Sequence, residues 1–364
     1  MIENIAIKNF KSLKDISIKT KSLNLLMGLN GMGKSSLLQS LLLLKQSNKL
    51  YDGELTLDGN LINIGKGKDA FYQFAADDSI IFEIHLSNTK KISWEFHYES
   101  EYRELKAEFG YKHEDFNVFN KAIKNFQYIT ADRIGPQEIY ETHQGLISEN
   151  QIGEKGEYTV HFLNVYGNSI KVPHKLKHDK TEDITLINQV NGWLGEISPG
   201  VKLSIMDVPH VDKMLLNYKF ELKKGDTTTF KPINVGFGIS YVLPIVVSLL
   251  LPVKNKIIIL ENPESHIHPR GQAELGKLMA LSAASGAQLF IETHSDHIIN
   301  GVRIAVKEGN INKKDVSISY FDKITTEKEQ YSRITNIRID NQGELSDYPK
   351  DFMDEWSNQL LKLL

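Results

Sequence analysis

Two hydrophobic periods run through this chain, and the places where one gives way to the other mark its elements. Residues 2–7 and 23–27 read as short strands on either side of Asn9-Phe10-Lys11. A glycine-rich turn follows, and apolar positions then recur at helical spacing over residues 35–46. Leu37, Leu38 and Leu41 to Leu44 leave that helix apolar nearly all round, which predicts packing between a sheet and other elements. Residues 80–86 and 92–98 alternate as an antiparallel pair around a turn at 87–91. Residues 101–125 are charged and predict helix, while 159–165 and 201–205 predict strands. The pattern becomes regular from residue 233 to 322. There a glycine-rich turn leads to an apolar helix, a strand at 256–260, a helix over 271–285 and a strand at 288–292. Such alternation predicts a mostly parallel α/β sheet. The last stretch, 325–364, predicts a strand or two and a closing helix. No heptad repeat runs through the middle, so no long coiled-coil arm is expected. Four segments result: 1–75, an inserted lobe of mixed α and β character at 76–231, then 232–324, and a tail at 325–364.

Composition narrows the class without naming a chemistry. A chain of 364 residues, 41% hydrophobic and 24% charged, suits one large domain or two intermingled lobes of a soluble protein. A net charge of −3 supplies no global field toward nucleic acid or membrane. Cysteine is absent, which excludes a disulfide framework, a thiolate zinc site and a cysteine nucleophile. Met1-Ile2-Glu3-Asn4 lacks the basic-then-apolar pattern of a signal peptide. The longest apolar runs, 37–44 and 242–251, are too short to span a bilayer. A soluble, cytoplasmic protein with no membrane partner is the expectation.

One segment speaks directly of chemistry. Gly28-Leu29-Asn30-Gly31-Met32-Gly33-Lys34-Ser35 fits G-x-x-x-x-G-K-[ST] without a gap, between a predicted strand and a predicted helix. Glycines there let the backbone curl so that its N–H groups point inward at phosphate oxygens. Lys34 brings a positive charge to the β/γ phosphates of ATP, the Ser35 hydroxyl suits magnesium, and the helix that follows adds its positive end. The phosphate-binding set is then Asn30, Gly31, Met32, Gly33, Lys34, Ser35 and Ser36.

Further motifs stand in a fixed order around this loop. Asn9-Phe10-Lys11 precedes Gly28-Leu29-Asn30-Gly31-Met32-Gly33-Lys34-Ser35-Ser36, which resembles the opening of RecF, SMC and OLD-family ATPases. Ile257-Ile258-Ile259-Leu260-Glu261-Asn262-Pro263-Glu264-Ser265-His266-Ile267-His268-Pro269 resembles their Walker B strand. Thr293-His294-Ser295-Asp296 resembles their switch-histidine segment, and Asn234-Val235-Gly236-Phe237-Gly238-Ile239-Ser240 stands where ABC-type heads keep a signature motif. The group most similar is the OLD-like AAA class of uncharacterised-domain ATPases whose Walker B reads Glu-Asn-Pro-Glu. Ala131-Asp132-Arg133-Ile134-Gly135-Pro136 and the tail Gly343, Pro349 and Phe352 also resemble that group. The resemblance implies an α/β P-loop NTPase of ABC/SMC-head type, a mixed sheet flanked by helices with an inserted α+β lobe.

It also implies roles. Ser35 and Glu261 would hold magnesium, with Gln73 as its sensing glutamine. His294 would contact the γ-phosphate, and Lys11 would touch phosphate or ribose. Gly236, Gly238 and Ser240 would face the γ-phosphate of a second subunit. Asn262 departs from the family, because the general base is usually a glutamate there and an amide cannot accept a proton at neutral pH. Glu264, two residues on, is either the replacement base or a structural residue. His266 and His268 lack a third ligand at metal spacing, which favours a helix-start and interface role.

The function these resemblances imply is an ATP- and magnesium-dependent ATPase, slow in turnover. It would form a homodimer through its nucleotide sites and act with a nuclease, toxin or other effector in anti-phage defence or DNA transactions. Only about seventy residues follow His294, too few for a C-terminal Toprim nuclease, which moves any such activity to a partner chain. The basic residues between Lys171 and Lys180 leave a nucleic-acid contact open. A scaffold that holds ATP without turnover is the alternative. An ABC transporter subunit would lack the long insertion.

Overall fold

The computed structural model describes residues 1–87, 90–107, 113–251 and 255–363. The chain forms two compact units: residues 1–125, 316–340 and 345 onward make the first, and residues 126–315 and 341–344 the second.

In the first unit, β1 (Ile2–Phe10) and β2 (Leu13–Lys19) pair antiparallel. The sequence pattern does not mark β2 as clearly as β1, yet Ile16 and Ile18 alternate inward along it and Leu13 is buried at its start. Asn9 and Lys11 at the corner have φ of 58° and 53°, a left-handed bend that asparagine tolerates. Asn9 Nδ2 secures the bend by donating to Asp77 Oδ1 at 2.7 Å and Ser79 O at 3.0 Å. Next come β3 (Leu23–Met27), buried throughout, and α1 (Lys34–Gln46), whose leucines are buried on every side. β4 (Glu54–Thr56), α2 (Gly67–Ala70), β5 (Ser79–Leu86), β6 (Lys91–His97), β7 (Glu104–Lys106) and α3 (His113–Ala122) follow. The strand order β2-β1-β5-β6 makes an antiparallel sheet. The expected pair at 80–86 and 92–98 is β5 with β6, with Phe82 opposite Trp94. Residues 88–89 of its turn and 108–112 of the expected helix lie outside the described residues. Among the described residues of 101–125 the chain is helical only at α3, and Glu104–Lys106 pairs with β4 instead.

The second unit opens with β8 (Phe126–Ile129), β9 (Ile139–Tyr140), α4 (Gln144–Ser148) and α5 (Thr159–Tyr166). Here the strand expected at 159–165 is a helix. Threonine, valine and phenylalanine favour strands locally, but Thr159, Phe162 and Leu163 share a helical face that is buried, while Asn164 and Val165 are exposed. The chain continues with α6 (Leu186–Ile197), β10 (Val201–Val208), β11 (Lys213–Phe220), α7 (Phe237–Leu250), β12 (Ile257–Glu261), α8 (Pro269–Ala284), β13 (Gln288–Glu292) and α9 (Asp296–Lys307). β12 runs parallel to both β13 and β8. Its apolar run is buried on both faces, as a strand covered by helices requires. β10, β11 and β9 form a separate antiparallel sheet.

The chain then returns to the first unit with β14 (Val316–Thr325), β15 (Gln330–Ile337) and the closing α10 (Glu355–Leu361). β14 is parallel to β3 and antiparallel to β15, so this sheet is mixed. Among the described residues, no helix is long and apolar enough to cross a membrane.

Candidate nucleotide site

The phosphate loop leaves β3 and enters α1. Gly28, Gly31 and Gly33 have φ of 130°, 76° and 102°, a region that L side chains avoid. Space is as restrictive as φ at two of them. A Cβ on Gly28 would lie 2.2 Å from the Phe321 carbonyl oxygen of β14, and one on Gly33 would lie 2.4 Å from Ser332 Oγ. Gly31 has open space around it. Lys34, the first residue of α1, is buried, and its Nζ donates to Gly28 O and Leu29 O, both at 2.8 Å. The ammonium therefore sits inside the curl of its own loop. Ser36 is buried and Ser35 half-buried, while Asn30, Gly31 and the flanking Leu29 stay exposed or nearly so.

Lys11 lies against the same helix. Its Nζ donates to Gln39 Oε1 of α1 at 2.9 Å, and burial lowers its pKa. The corner is closed by residues 70–72, since Lys11 N donates to Ala70 O and Tyr72 N to Asn9 O. Gln73 follows directly and is exposed.

In the second unit, Glu261 ends β12. Its Oε2 accepts from Ala131 N at 3.2 Å. Burial pushes the Tyr128 phenol up, and the Glu261 carboxylate adds to that rise. Asn262 follows with φ 43° and donates from its backbone N to Glu292 O at 2.9 Å. The chain turns there and brings Glu264 across to the end of β13. Glu264 Oε2 accepts from Thr293 Oγ1 at 2.7 Å, and Oε1 accepts from His294 N at 2.8 Å. Glu264 and His294, thirty residues apart, are thus tied together. The His294 side chain is exposed, and Ser295 Oγ caps α9 by accepting from His297 N and Ile298 N. His268 caps α8, with Nδ1 accepting from Arg270 N at 3.3 Å.

The glycine-rich turn before α7 divides. Gly236 is exposed beside Phe237, which is also exposed. Gly238 is half-buried and packs where a Cβ would meet His266 O at 2.3 Å. Ser240 is buried, and its Oγ is 3.0 Å from the Tyr218 hydroxyl of β11. Starting the helix at Phe237 turns residues 239 and 240 inward together.

Sequence reasoning gave Arg133 no task, yet its guanidinium is buried against the turn after β12. It donates to Thr130 O at 2.9 Å, Glu261 O at 2.8 Å and Asn262 O at 2.8 Å. Burial lowers its pKa to about 10, against the opposing charges of Glu264, Tyr241 and Glu261. The only signal was its place inside the Ala131-to-Pro136 segment.

Residues 23–300 match the family model described as "AAA domain, putative AbiEii toxin, Type IV TA system". The chain belongs to this family. Residues 311–363 match a second model, described as "Protein of unknown function (DUF3696)". No curated protein matches. Among solved structures, this AAA chain is similar to an Smc head bound to the C-winged helix domain of ScpA, at 14% identity and a TM-score of 0.54. That likeness covers 93% of this chain and 98% of the other. It is also similar to an Smc head with an extended coiled coil, bound to the C-terminal domain of ScpA derived from Pyrococcus furiosus. There the identity is 10% and the TM-score 0.51, covering 100% of this chain and 99% of the other. At such low identity these likenesses establish the fold, a P-loop ATPase head of ABC type with a mixed sheet flanked by helices.

Proposed function

We propose that this AAA-family chain binds ATP with magnesium on the phosphate loop, hydrolyses it slowly, and dimerises through its nucleotide sites to control a partner effector. The observation that carries this reading is the loop: three glycines at positive φ around the buried ammonium of Lys34. On binding, Lys34 exchanges its two loop carbonyls for phosphate oxygens, and the main-chain N–H groups of residues 30–36 supply the remaining donors. Ser35 and Glu261 would hold the metal, with Gln73 beside the Asn9 corner as its sensor. Lys11 is assigned to phosphate or ribose. A magnesium ion held there would supply charge neutralisation for the phosphates.

Glu264 is the proposed base. A carboxylate has about four lone-pair positions, and the bonds from Thr293 and His294 aim it while leaving others to accept a proton. His294 is assigned to the γ-phosphate. Asn262 orients water without taking its proton, which makes turnover slow. Gly236 and Gly238 are assigned to the facing subunit, with Ser240 anchoring the helix start rather than touching nucleotide. The family description, which names a toxin and a toxin–antitoxin system, supports an effector partner and a defence role, in keeping with the Glu-Asn-Pro-Glu class of OLD-like ATPases and a cytoplasmic setting. Heads of this fold are solved with a ScpA domain bound, which supports a protein partner. A nucleic-acid contact at the exposed Lys171, Lys175 and Lys177 is secondary. One observation favours a non-hydrolysing scaffold instead, the amide at Asn262.

The test is calorimetry with ATP and magnesium, followed by sedimentation with a slowly hydrolysed ATP analogue. Lys34→Ala should weaken ATP by roughly 10²-fold, the value of a lost charge-assisted contact. The analogue should double the sedimenting mass of the wild type and not of Lys34→Ala. Near-native affinity in the variant sinks the site, and an unchanged mass at saturating analogue sinks the dimer.

A further inference from the structure

A buried guanidinium needs acceptors, and those of Arg133 are unusual in kind. The side chain is 2% exposed, and among the described residues its Nη atoms reach no carboxylate within hydrogen-bond distance. All three acceptors are main-chain carbonyls, from Thr130 after β8 and from Glu261 and Asn262 at the end of β12. Its Nε is buried with no partner among the described residues. The planar fork spans two strand ends in a way that a lysine's single nitrogen cannot. The same short segment holds Glu261 a second time, through Ala131 N on Oε2. Above the guanidinium lies the Tyr241 ring of α7, 5.8 Å to its centroid.

What these bonds hold is a left-handed turn. Asn262 sits at φ 43°, a conformation that asparagine visits more readily than most side chains. From that turn the chain carries Glu264 to Thr293 and His294. If the carbonyls of Glu261 and Asn262 rotate, both carboxylates rotate with them.

We propose that Arg133 is a positioning residue, which sets the directions of the Glu261 and Glu264 carboxylates by clamping the carbonyls of Glu261 and Asn262. This deepens the reading of those acids as metal holder and base and rests on it for its chemistry. The clamp itself is a property of the turn and is testable without nucleotide.

The experiment uses the full chain and two variants, Arg133→Lys and Arg133→Met, each checked by thermal melting. Hydrogen exchange is followed first, without nucleotide. In Arg133→Lys the amides of Asn262 and His294, bonded to Glu292 O and Glu264 Oε1, should exchange roughly tenfold faster, while α1 is unchanged. A slowly hydrolysed ATP analogue is then titrated with and without magnesium. Its magnesium-free affinity should stay within about threefold, because the phosphate loop is untouched. The magnesium concentration for half-maximal tightening should rise about tenfold, the usual cost of losing an outer-shell partner. Arg133→Met should shift both readouts further, and if it fails to fold, the lysine variant decides alone. Unchanged exchange at both amides in Arg133→Lys overturns the proposal. So does faster exchange spread evenly through β12, β13 and α8, which would make Arg133 a general support. A wild type that binds no nucleotide would defeat the proposed function, and the exchange result would still judge the clamp.

Discussion

The phosphate loop and the turn after β12 carry charge by opposite means. In the loop the backbone does the work, and three glycines take positive φ around the buried ammonium of Lys34. The turn also needs positive φ, but it places an asparagine there and holds it with a guanidinium 129 residues upstream. At Gly28 and Gly33 the loop is rigid because neighbours fill the space where Cβ atoms would be. A turn built on a side-chain clamp is rigid only while the clamp holds. The loop suits a phosphate cradle that must not change, and the turn suits carboxylates whose aim can be adjusted.

The sharpest break in that contrast is expected inside the loop. Gly28→Ala puts a methyl 2.2 Å from the Phe321 carbonyl, an overlap with backbone that no rotamer relieves. Gly31→Ala has a comparable φ problem, 76°, but nothing within 4 Å. Calorimetry should find ATP affinity lowered by about 10³-fold in Gly28→Ala, the scale of severe steric strain. Gly31→Ala should lose about tenfold or less, since only backbone strain of about 1 kcal/mol applies. Equal losses would mean that φ rather than packing makes the loop rigid.

That loop was fully legible in the sequence, because contiguous residues of fixed type carry it. The parallel strands β12 and β13 were legible for a related reason: burial on both faces demands an unbroken apolar run. Legibility failed where distant contacts decide. Thr159 to Leu163 look like a strand until α5 is seen to pack on β10 and β11. Ser240 looks like a donor until helix phase turns it to Tyr218. Arg133 could be noticed only as part of a family segment, since its acceptors lie far along the chain.

A smaller effect separates aim from chemistry at Glu264. Glutamine there can still accept from His294 N through its one oxygen and donate to Thr293 Oγ1, so the tie survives in altered form. Glu264→Gln should melt near the wild type yet lose about 10²-fold in phosphate release, as a general base would. Glu264→Ala should lose the tie as well and destabilise by about 1–3 kcal/mol. Asn262→Glu should speed turnover, at a cost near 1 kcal/mol for the left-handed backbone. Turnover in Glu264→Gln equal to wild type would leave this residue as a tie and move the base elsewhere.

The smallest effect compares two buried cations at opposite ends of β12. Arg133 has two of its three acceptors at the strand's end, whereas Lys256, just before its start, is fully buried and its Nζ has no partner among the described residues. Burial alone lowers the Lys256 pKa from 10.5 to about 7. The unfolded chain then holds the extra proton between those two values, so stability should rise with pH across that window. Below about pH 7 both states are protonated and the full penalty for the buried charge applies. Lys256→Met removes that penalty and keeps the apolar stem volume. It should stabilise the protein by about 2 kcal/mol at pH 6, the usual gain from replacing a buried charge with a hydrophobe. The gain should shrink steadily toward pH 10, where the folded lysine is neutral without cost. Melting curves for both proteins over that range supply the measurement. A gain that does not vary with pH would mean that Lys256 is solvated in the folded protein, and the contrast with the paired guanidinium of Arg133 would fall.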